Sequence, residues 1–128
     1  MKQIRIVVVG GKSFNNHKRL SRELDKYISE LSPVYRKDLE LIHGDDRAID
    51  KLVEKYAVEN GYKHRKYKAY WDSDGEQAGY LRNNIMIKHA AKELGVLFLF
   101  WDGKSVDGKN MVELAMHYGV NEIEVRRY

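Results

Sequence analysis

Two short apolar runs constrain the fold of this chain more than any other feature. Residues 4–9 read IRIVVV and residues 96–101 read VLFLFW. β-branched and aromatic residues favour strands, and runs with almost no polar break are typical of strands covered on both faces. Each run is far too short to span a membrane as a helix. Both therefore predict central strands of a sheet packed between two layers.

The first half of the chain alternates between strand and helix patterns. A strand is predicted around residues 39–42, and the basic residues 62–68 predict an edge strand. Two amphipathic helices are predicted around these strands, the second of them ended by Gly61. Their apolar residues recur at helical spacing: Leu20, Leu24, Ile28 and Leu31 in the first, and Ile49, Leu52, Val53, Tyr56 and Ala57 in the second.

The second half continues the alternation. A helix is predicted from Gly79 to Leu94, with Gly95 as its C-terminal cap. A further helix around residues 111–118 ends at Gly119, and a short strand around residues 123–125 follows. The resulting order, βαβαβαβαβ, predicts an α/β fold. We expect a single Rossmann-like three-layer domain over residues 1–128, with about five parallel strands and helices on both faces.

Composition limits the possible functions. The chain has 128 residues, of which 43% are hydrophobic and 33% charged, as in an ordinary soluble globular domain. It has no cysteine, which excludes disulfides, a thiolate nucleophile and cysteine-based zinc sites. No HExxH pattern and no nucleophile elbow is present, so no metal site is predicted. The net charge of +4 is a mild excess.

The tripeptide Gly-Lys-Ser follows both apolar runs, at residues 11–13 and 103–105. A nucleotide triphosphatase P-loop needs a further glycine five residues before this Gly-Lys pair, where the chain has Ile6 and Phe98. Neither turn is therefore a P-loop. A glycine turn at the carboxyl end of a parallel strand still lets amides approach an anion, and lysine adds positive charge. Two such turns on one edge predict an anion-binding site.

A third turn, HGDDRAID at residues 43–50, has the same setting. Asp45 and Asp46 would repel a phosphate, but an aspartate there can cap the following helix or bind a ribose hydroxyl. Arg47 can reach an anion. His43 ends a buried strand, and such a histidine is more often a satisfied core residue than a catalytic base.

Residues 71–86 form the longest irregular stretch and then open a helix. Arg82 and Asn83 suit phosphate, ribose or base edges, although a salt-bridged surface arginine is an equally good interpretation of Arg82. Trp71 and Trp101 are either core residues or aromatic surfaces for a nucleobase.

Four blocks of the sequence, VVVGGKSF, HGDDRAID, AGYLRNNIM and FWDGKSVDGKNMVELA, resemble the YspA/YpsA-related branch of the SLOG superfamily in order and spacing. The resemblance implies a Rossmann-like fold with sheet order 3-2-1-4-5 that binds nucleotides or nucleotide-derived ligands. Both Gly-Lys-Ser turns would then belong to one pocket. The residues expected to bind the ligand there are Gly10, Gly11, Lys12, Ser13, Phe14, His43, Gly44, Asp45, Arg47, Asp50, Trp71, Arg82, Asn83, Trp101, Asp102, Gly103, Lys104, Ser105, Gly108, Asn110 and Met111.

The superfamily includes the LOG phosphoribohydrolases, in which a Gly-Gly-x-Gly-Thr-x-x-Glu motif supplies a catalytic glutamate paired with an arginine. Arg82 matches that arginine, whereas Met111 stands at the glutamate position. Asp107 and Gly108 replace the Gly-Thr pair. The resemblance therefore favours binding without hydrolysis.

Three functions remain open at this point. The favoured one is binding of a nucleotide or a nucleotide-derived signal, such as an ADP-ribose or NAD-like ligand, with no other cofactor predicted. The enzyme alternative is hydrolysis of the N-glycosidic bond of a nucleotide, with Asp45, Asp46 or Asp102 in place of the missing glutamate. The third is a nucleic-acid accessory role through the basic stretch KHRKYK, which nearby acidic residues disfavour.

Assembly and location are also predicted. Relatives commonly pair through helices that flank the sheet, so we expect a homo-oligomer, either a dimer or larger, formed through the aromatic residues Tyr70, Tyr80 and Tyr118. We expect a cytoplasmic protein of a bacterium or of a phage-infected cell, without a membrane partner.

Overall fold

The computed structural model describes residues 2–128, which form one five-stranded parallel sheet with the order β3-β2-β1-β4-β5. The predicted α/β class and the sheet order 3-2-1-4-5 are thus confirmed. The strands are β1 (Ile4–Gly10), β2 (Leu39–His43), β3 (Lys63–Lys66), β4 (Leu94–Trp101) and β5 (Glu122–Arg127). The helices are α1 (His17–Ser29), α2 (Pro33–Arg36), α3 (Ala48–Asn60), α4 (Trp71–Asp74), α5 (Ala78–Ala91) and α6 (Val106–Tyr118).

The strand side chains alternate between two apolar layers. On β1, Ile6 and Val8 pack with residues of α1 and α3, whereas Val7 packs with residues of α5 and α6. On β4, Phe98 belongs to the first layer and Leu97 to the second. The two central strands are buried because helices cover both faces, which explains why their sequences are almost wholly apolar.

Helix ends follow the predicted glycine signals in two cases. Gly61 and Gly119 adopt left-handed conformations after α3 and α6, with φ of 71° and 73°. The prediction that Gly95 caps α5 is wrong, because β4 begins earlier and includes this residue. A side chain at Gly95 would place its Cβ 2.9 Å from the carbonyl oxygen of Ala90. The glycine therefore allows close packing of the strand against the end of α5.

The stretch after β3 is less irregular than the sequence predicts. It forms α4 and then a 3₁₀ turn at Gly75–Gln77, and every residue from Tyr70 to Gln77 is exposed. Tyr118, expected on an exposed surface, is instead half-buried and donates its hydroxyl hydrogen to Asn84 Oδ1.

Among residues 2–128, no helix is both long enough and apolar enough to cross a membrane.

Candidate ligand-binding site

A cavity of about 590 Å³ opens at the carboxyl ends of the central strands. Strand β1 lies between β2 and β4. The chain adds β2 and β3 on one side of β1 and then crosses back to add β4 and β5 on the other side. This crossover is where open parallel sheets bind ligands, and the volume is typical of small-molecule pockets. The predicted site residues that line the cavity are Gly10, Gly11, Lys12, Gly44, Asp46, Arg47, Asp50, Trp71, Arg82, Asn83, Trp101, Ser105, Gly108, Asn110 and Met111.

The turn after β1 keeps hydrogen-bond donors available. The Gly11 amide donates to the carbonyl of Phe100 at 3.2 Å, which ties the turn to β4. Within residues 2–128, the amides of Lys12 and Ser13 have no acceptor, and Lys12 forms no ion pair. Lys12 is exposed and lines the cavity. The turn therefore offers the Lys12 amide and a positive charge at the cavity wall.

The turn after β2 is closed by its own carboxylate. Asp50, in the first turn of α3, accepts hydrogen bonds from the amides of Gly44 at 2.9 Å, Asp46 at 3.1 Å and Arg47 at 3.0 Å. A carboxylate in the first turn also complements the partial positive charge of the helix N-terminus. The amides that suit an external anion are thus already occupied by an internal one.

Arg82 fixes the same turn from α5. Its buried guanidinium donates to Asp46 Oδ1 at 3.3 Å and to the carbonyl of Tyr67 at 3.4 Å, and lies 3.7 Å from Asp45 Oδ1. A Cβ at Gly44 would lie 2.5 Å from Arg82 Nη1, so only glycine permits this approach. The guanidinium is committed to internal partners, which favours a positioning role.

Arg47 joins three elements at the cavity. It follows β2, donates from Nη1 to the carbonyl of Gly10 at 2.8 Å, and pairs through Nη2 with Asp107 Oδ2 on α6 at 2.6 Å. Its guanidinium therefore links the last residue of β1 to the start of α6 at the carboxyl edge of the sheet.

The turn after β4 resembles the turn after β2 more than the turn after β1. Asp102 Oδ1 accepts the amides of Lys104 and Ser105, each at 2.8 Å. These two hydrogen bonds, that from Ser105 first, lower the pKa of the Asp102 carboxyl below its usual value. Asp102, Gly103 and Lys104 do not line the cavity, and Lys104 is exposed. Only Ser105 of the second Gly-Lys-Ser turn reaches it.

Trp101 and Met111 form part of the apolar wall. The Trp101 indole N–H donates to Ser105, to its carbonyl at 3.0 Å and its hydroxyl at 3.1 Å. A Cβ at Gly108 would lie 2.2 Å from the indole ring, so this glycine admits the ring against α6. Met111 is 3% exposed and packs in the apolar layer beneath.

Four other predicted residues lie away from the cavity. Phe14 is buried in the core against Phe100, and Ser13 Oγ is 3.1 Å from the hydroxyl of Tyr128. Asp45 lies in a second, shallower groove along α3. His43 is fully buried: its Nδ1–H donates to the carbonyl of Gly44 at 2.7 Å, and its Nε2 faces His64 Nδ1 at 3.1 Å. Both ring nitrogens are partnered, as in a satisfied core histidine.

The cavity also contains polar and aromatic residues that the sequence did not single out as ligands. Glu76, Tyr80 and Asp107 line it, the first two on or beside the segment between β3 and α5. Hydrophobic periodicity does not predict where an exposed segment packs. The structure shows that this segment lies at the cavity, with Trp71 in contact with Gly79. No group of three or more metal-ligating side chains occurs in the part of the chain from residue 2 to residue 128.

Charges around the cavity are mixed and largely paired. Three cations line it, Lys12, Arg47 and Arg82, together with four acids, Asp46, Asp50, Glu76 and Asp107. Both arginines form ion pairs, and Asp50 is satisfied by amides. Lys12 and Glu76 are the charged residues of this wall for which residues 2–128 provide no partner.

A parallel sheet with this order and a cavity at its crossover edge defines a Rossmann-like α/β protein. A family model described as "YAcAr: YspA, cpYpsA-related SLOG family" matches residues 4–73. The match spans more than half of the sequence, and the chain belongs to this family. Comparison with curated proteins and comparison with solved structures gave no match. Membership suggests a nucleotide-related function and specifies neither ligand nor reaction.

Proposed function

We propose that this protein binds a nucleotide or a nucleotide-derived ligand, such as an ADP-ribose or NAD-like molecule, in the cavity at the carboxyl edge of the sheet. One observation carries the proposal. Among the residues described, the turn after β1 is the one turn of the three at this edge in which no carboxylate accepts a backbone amide. Lys12 lines the cavity, and its amide, unpaired within residues 2–128, and its ammonium group together suit one phosphate group.

The remaining polar groups suit a ribose better than a second phosphate. Asp46 and Asp107 each use one carboxylate oxygen to bind an arginine, which leaves the other oxygen to accept a hydroxyl hydrogen. Carboxylates repel phosphate but bind the vicinal hydroxyls of ribose. A ligand with a sugar beside a limited anionic group therefore fits this wall.

Binding is favoured over hydrolysis. Met111, at the position of the catalytic glutamate in the LOG enzymes, has a thioether that cannot transfer a proton or stabilise an oxocarbenium-like sugar as a carboxylate does. Of the three aspartates considered as replacements, Asp45 and Asp102 lie outside the cavity lining. Asp46 lines it but is bonded to Arg82. If hydrolysis occurs, Asp46 is the residue to test first.

The nucleic-acid alternative has less support. Three of the four residues of β3 are basic side chains in ion pairs: Lys63 with Asp38 at 2.6 Å, Arg65 with Glu40 at 3.4 Å and Lys66 with Glu54 at 3.5 Å. These pairs reduce the positive charge that this edge offers to a phosphate backbone.

The two Gly-Lys-Ser turns provide a matched test. Lys12→Ala should weaken binding of AMP and ADP-ribose about ten-fold in isothermal titration calorimetry, because a charged hydrogen bond to phosphate is lost. Lys104→Ala removes the same charge from the same tripeptide outside the cavity and should leave affinity within about two-fold, as expected for a remote surface charge. Equal effects of the two substitutions would contradict the proposed site.

A further inference from the structure

Two large aromatic side chains stand half-exposed at the mouth of the cavity. Trp71 is 49% exposed and Tyr80 is 51% exposed, and both line the cavity. The Trp71 ring packs over Gly79, where a Cβ would lie 3.2 Å from its Cη2 atom. Tyr80 is the next residue along α5, so both aromatic side chains belong to the same part of the cavity lining.

Exposed aromatic surface of this size carries a free-energy cost in water, and such surface at a cavity mouth typically marks a binding site. A flat π-face is also the group on which a nucleobase stacks, whatever the base. The neighbouring Tyr70 is 61% exposed but does not line the cavity, so exposure alone does not define the pair.

Glu76 adds chemical selectivity to this opening. It lies in the 3₁₀ turn between Trp71 and Tyr80, lines the cavity, and has no hydrogen-bond or ion-pair partner among residues 2–128. A carboxylate accepts hydrogen bonds and donates none, so it favours a base with an exocyclic amino group over one with a carbonyl at the same position.

We infer that Trp71, Tyr80 and Glu76 form a subsite for an amino-bearing nucleobase, of which adenine is the simplest purine example. The inference rests on the proposed nucleotide-binding function and deepens it. The base stacks on the aromatic pair at the mouth, its amino group donates to Glu76, and its phosphate binds the turn after β1. The subsite discriminates against ligands that lack a base or that carry a carbonyl in place of the amino group.

The test uses AMP, IMP and ribose 5-phosphate as probes, with calorimetry for affinity and tryptophan fluorescence for contact with Trp71. AMP should quench the fluorescence of the wild-type protein, ribose 5-phosphate should not, and the quench should vanish in Trp71→Phe. Trp71→Ala and Tyr80→Ala should each weaken AMP binding about five- to 150-fold, the range for loss of a base–aromatic stack. Tyr70→Ala, the matched control, should not change it.

Glu76 is tested by base preference. The wild-type protein should bind AMP more tightly than IMP, and Glu76→Gln should reduce that preference because an amide also donates to a carbonyl. Asp74→Asn, a change in the same segment outside the cavity lining, should leave the preference intact.

The outcomes separate the two proposals. If no probe binds, the proposed function fails and the subsite fails with it. If AMP binds with unchanged affinity in Trp71→Ala and Tyr80→Ala and without a quench, the subsite is wrong and the nucleotide site stands. If light scattering shows that Trp71→Ala dissociates an oligomer while AMP affinity is unchanged, the aromatic pair belongs to a protein interface and the inference is overturned.

Discussion

Asp50 should be the most costly polar residue to remove from this edge of the sheet. Its carboxylate accepts the three amides of the turn after β2, and the residue is 6% exposed. In Asp50→Ala the buried Gly44 amide loses its acceptor, at a cost of about 1–3 kcal/mol. The start of α3 also loses its cap, at about 0.5–2 kcal/mol. The amides of Asp46 and Arg47 reach water and add little, so we expect about 1.5–5 kcal/mol in total.

The corresponding change in Tm follows from chain length. Unfolding entropy of about 2.1 cal/mol/K per residue over 128 residues gives about 3.7 °C for each kcal/mol, so Asp50→Ala should lower Tm by about 6–18 °C. Calorimetric melting and urea unfolding measure both quantities. The Tm of Asp50→Asn should lie between those of the wild-type protein and Asp50→Ala. The asparagine amide keeps one oxygen to accept a backbone amide, but its NH₂ group faces the other amides as a donor.

Glu54 is the matched control for Asp50, since it is an acidic residue one turn further along α3 whose exposed carboxylate pairs with Lys66 at 3.5 Å. Glu54→Ala should cost less than about 1 kcal/mol, as exposed ion pairs do. If Asp50→Ala and Glu54→Ala lower Tm equally, the Asp50 carboxylate does not stabilise the turn after β2. The argument that Asp50 takes the place of an external anion in that turn then fails.

Four further predictions concern pH, chemistry and assembly. Burial lowers the pKa of His43, so below about pH 6.5 the unfolded chain binds a proton that the folded chain takes up only at lower pH. The free energy of unfolding should therefore decrease as the pH falls below about 6.5. In urea titrations from pH 5 to 8, this decrease should be smaller for His43→Gln than for the wild-type protein. Single-turnover assays with AMP and NAD should detect little or no release of base, because general acid–base assistance contributes about 10²–10⁴-fold to the rate and Met111 cannot provide it. Rapid release that is abolished by Asp46→Asn would refute this prediction. Met111→Glu should lower Tm rather than restore hydrolysis, because it buries a carboxylate in an apolar layer. Light scattering should show a homo-oligomer, and a 15 kDa particle at micromolar concentration would exclude it.

The architecture follows from the sequence because the relevant signals are local. The apolar runs that become β1 and β4 can be buried only by covering both faces, and the helical spacing between strands leaves few connections other than parallel ones. Gly95 was misassigned because a glycine after a helical pattern signals a cap, whereas here it serves close packing against Ala90. That contact arises from tertiary structure and has no local signal.

The site is less predictable because its residues are defined by partners distant in sequence. The sequence leaves Arg82 open between a ligand-binding and a salt-bridged arginine. Its three hydrogen-bond acceptors and its ion-pair partner come from α5, the turn after β2 and the residue that follows β3. Similarly, the sequence shows that Glu76 is acidic and Tyr80 aromatic, but not that both line the cavity.

The unequal roles of the two Gly-Lys-Ser turns can be traced to the residue before each one. Asp102 precedes the second turn, and its carboxylate accepts the amides two and three residues ahead, which is the usual geometry of an aspartate at a turn. Gly10 precedes the first turn and has no side chain to do the same. In the turn after β4, the Asp102 carboxylate occupies the position that we propose for an external anion in the turn after β1. The two turns are therefore distinguished by Gly-Gly-Lys-Ser against Asp-Gly-Lys-Ser: in the first no carboxylate of residues 2–128 accepts the amides, which is where we propose an anion binds, and in the second Asp102 accepts them.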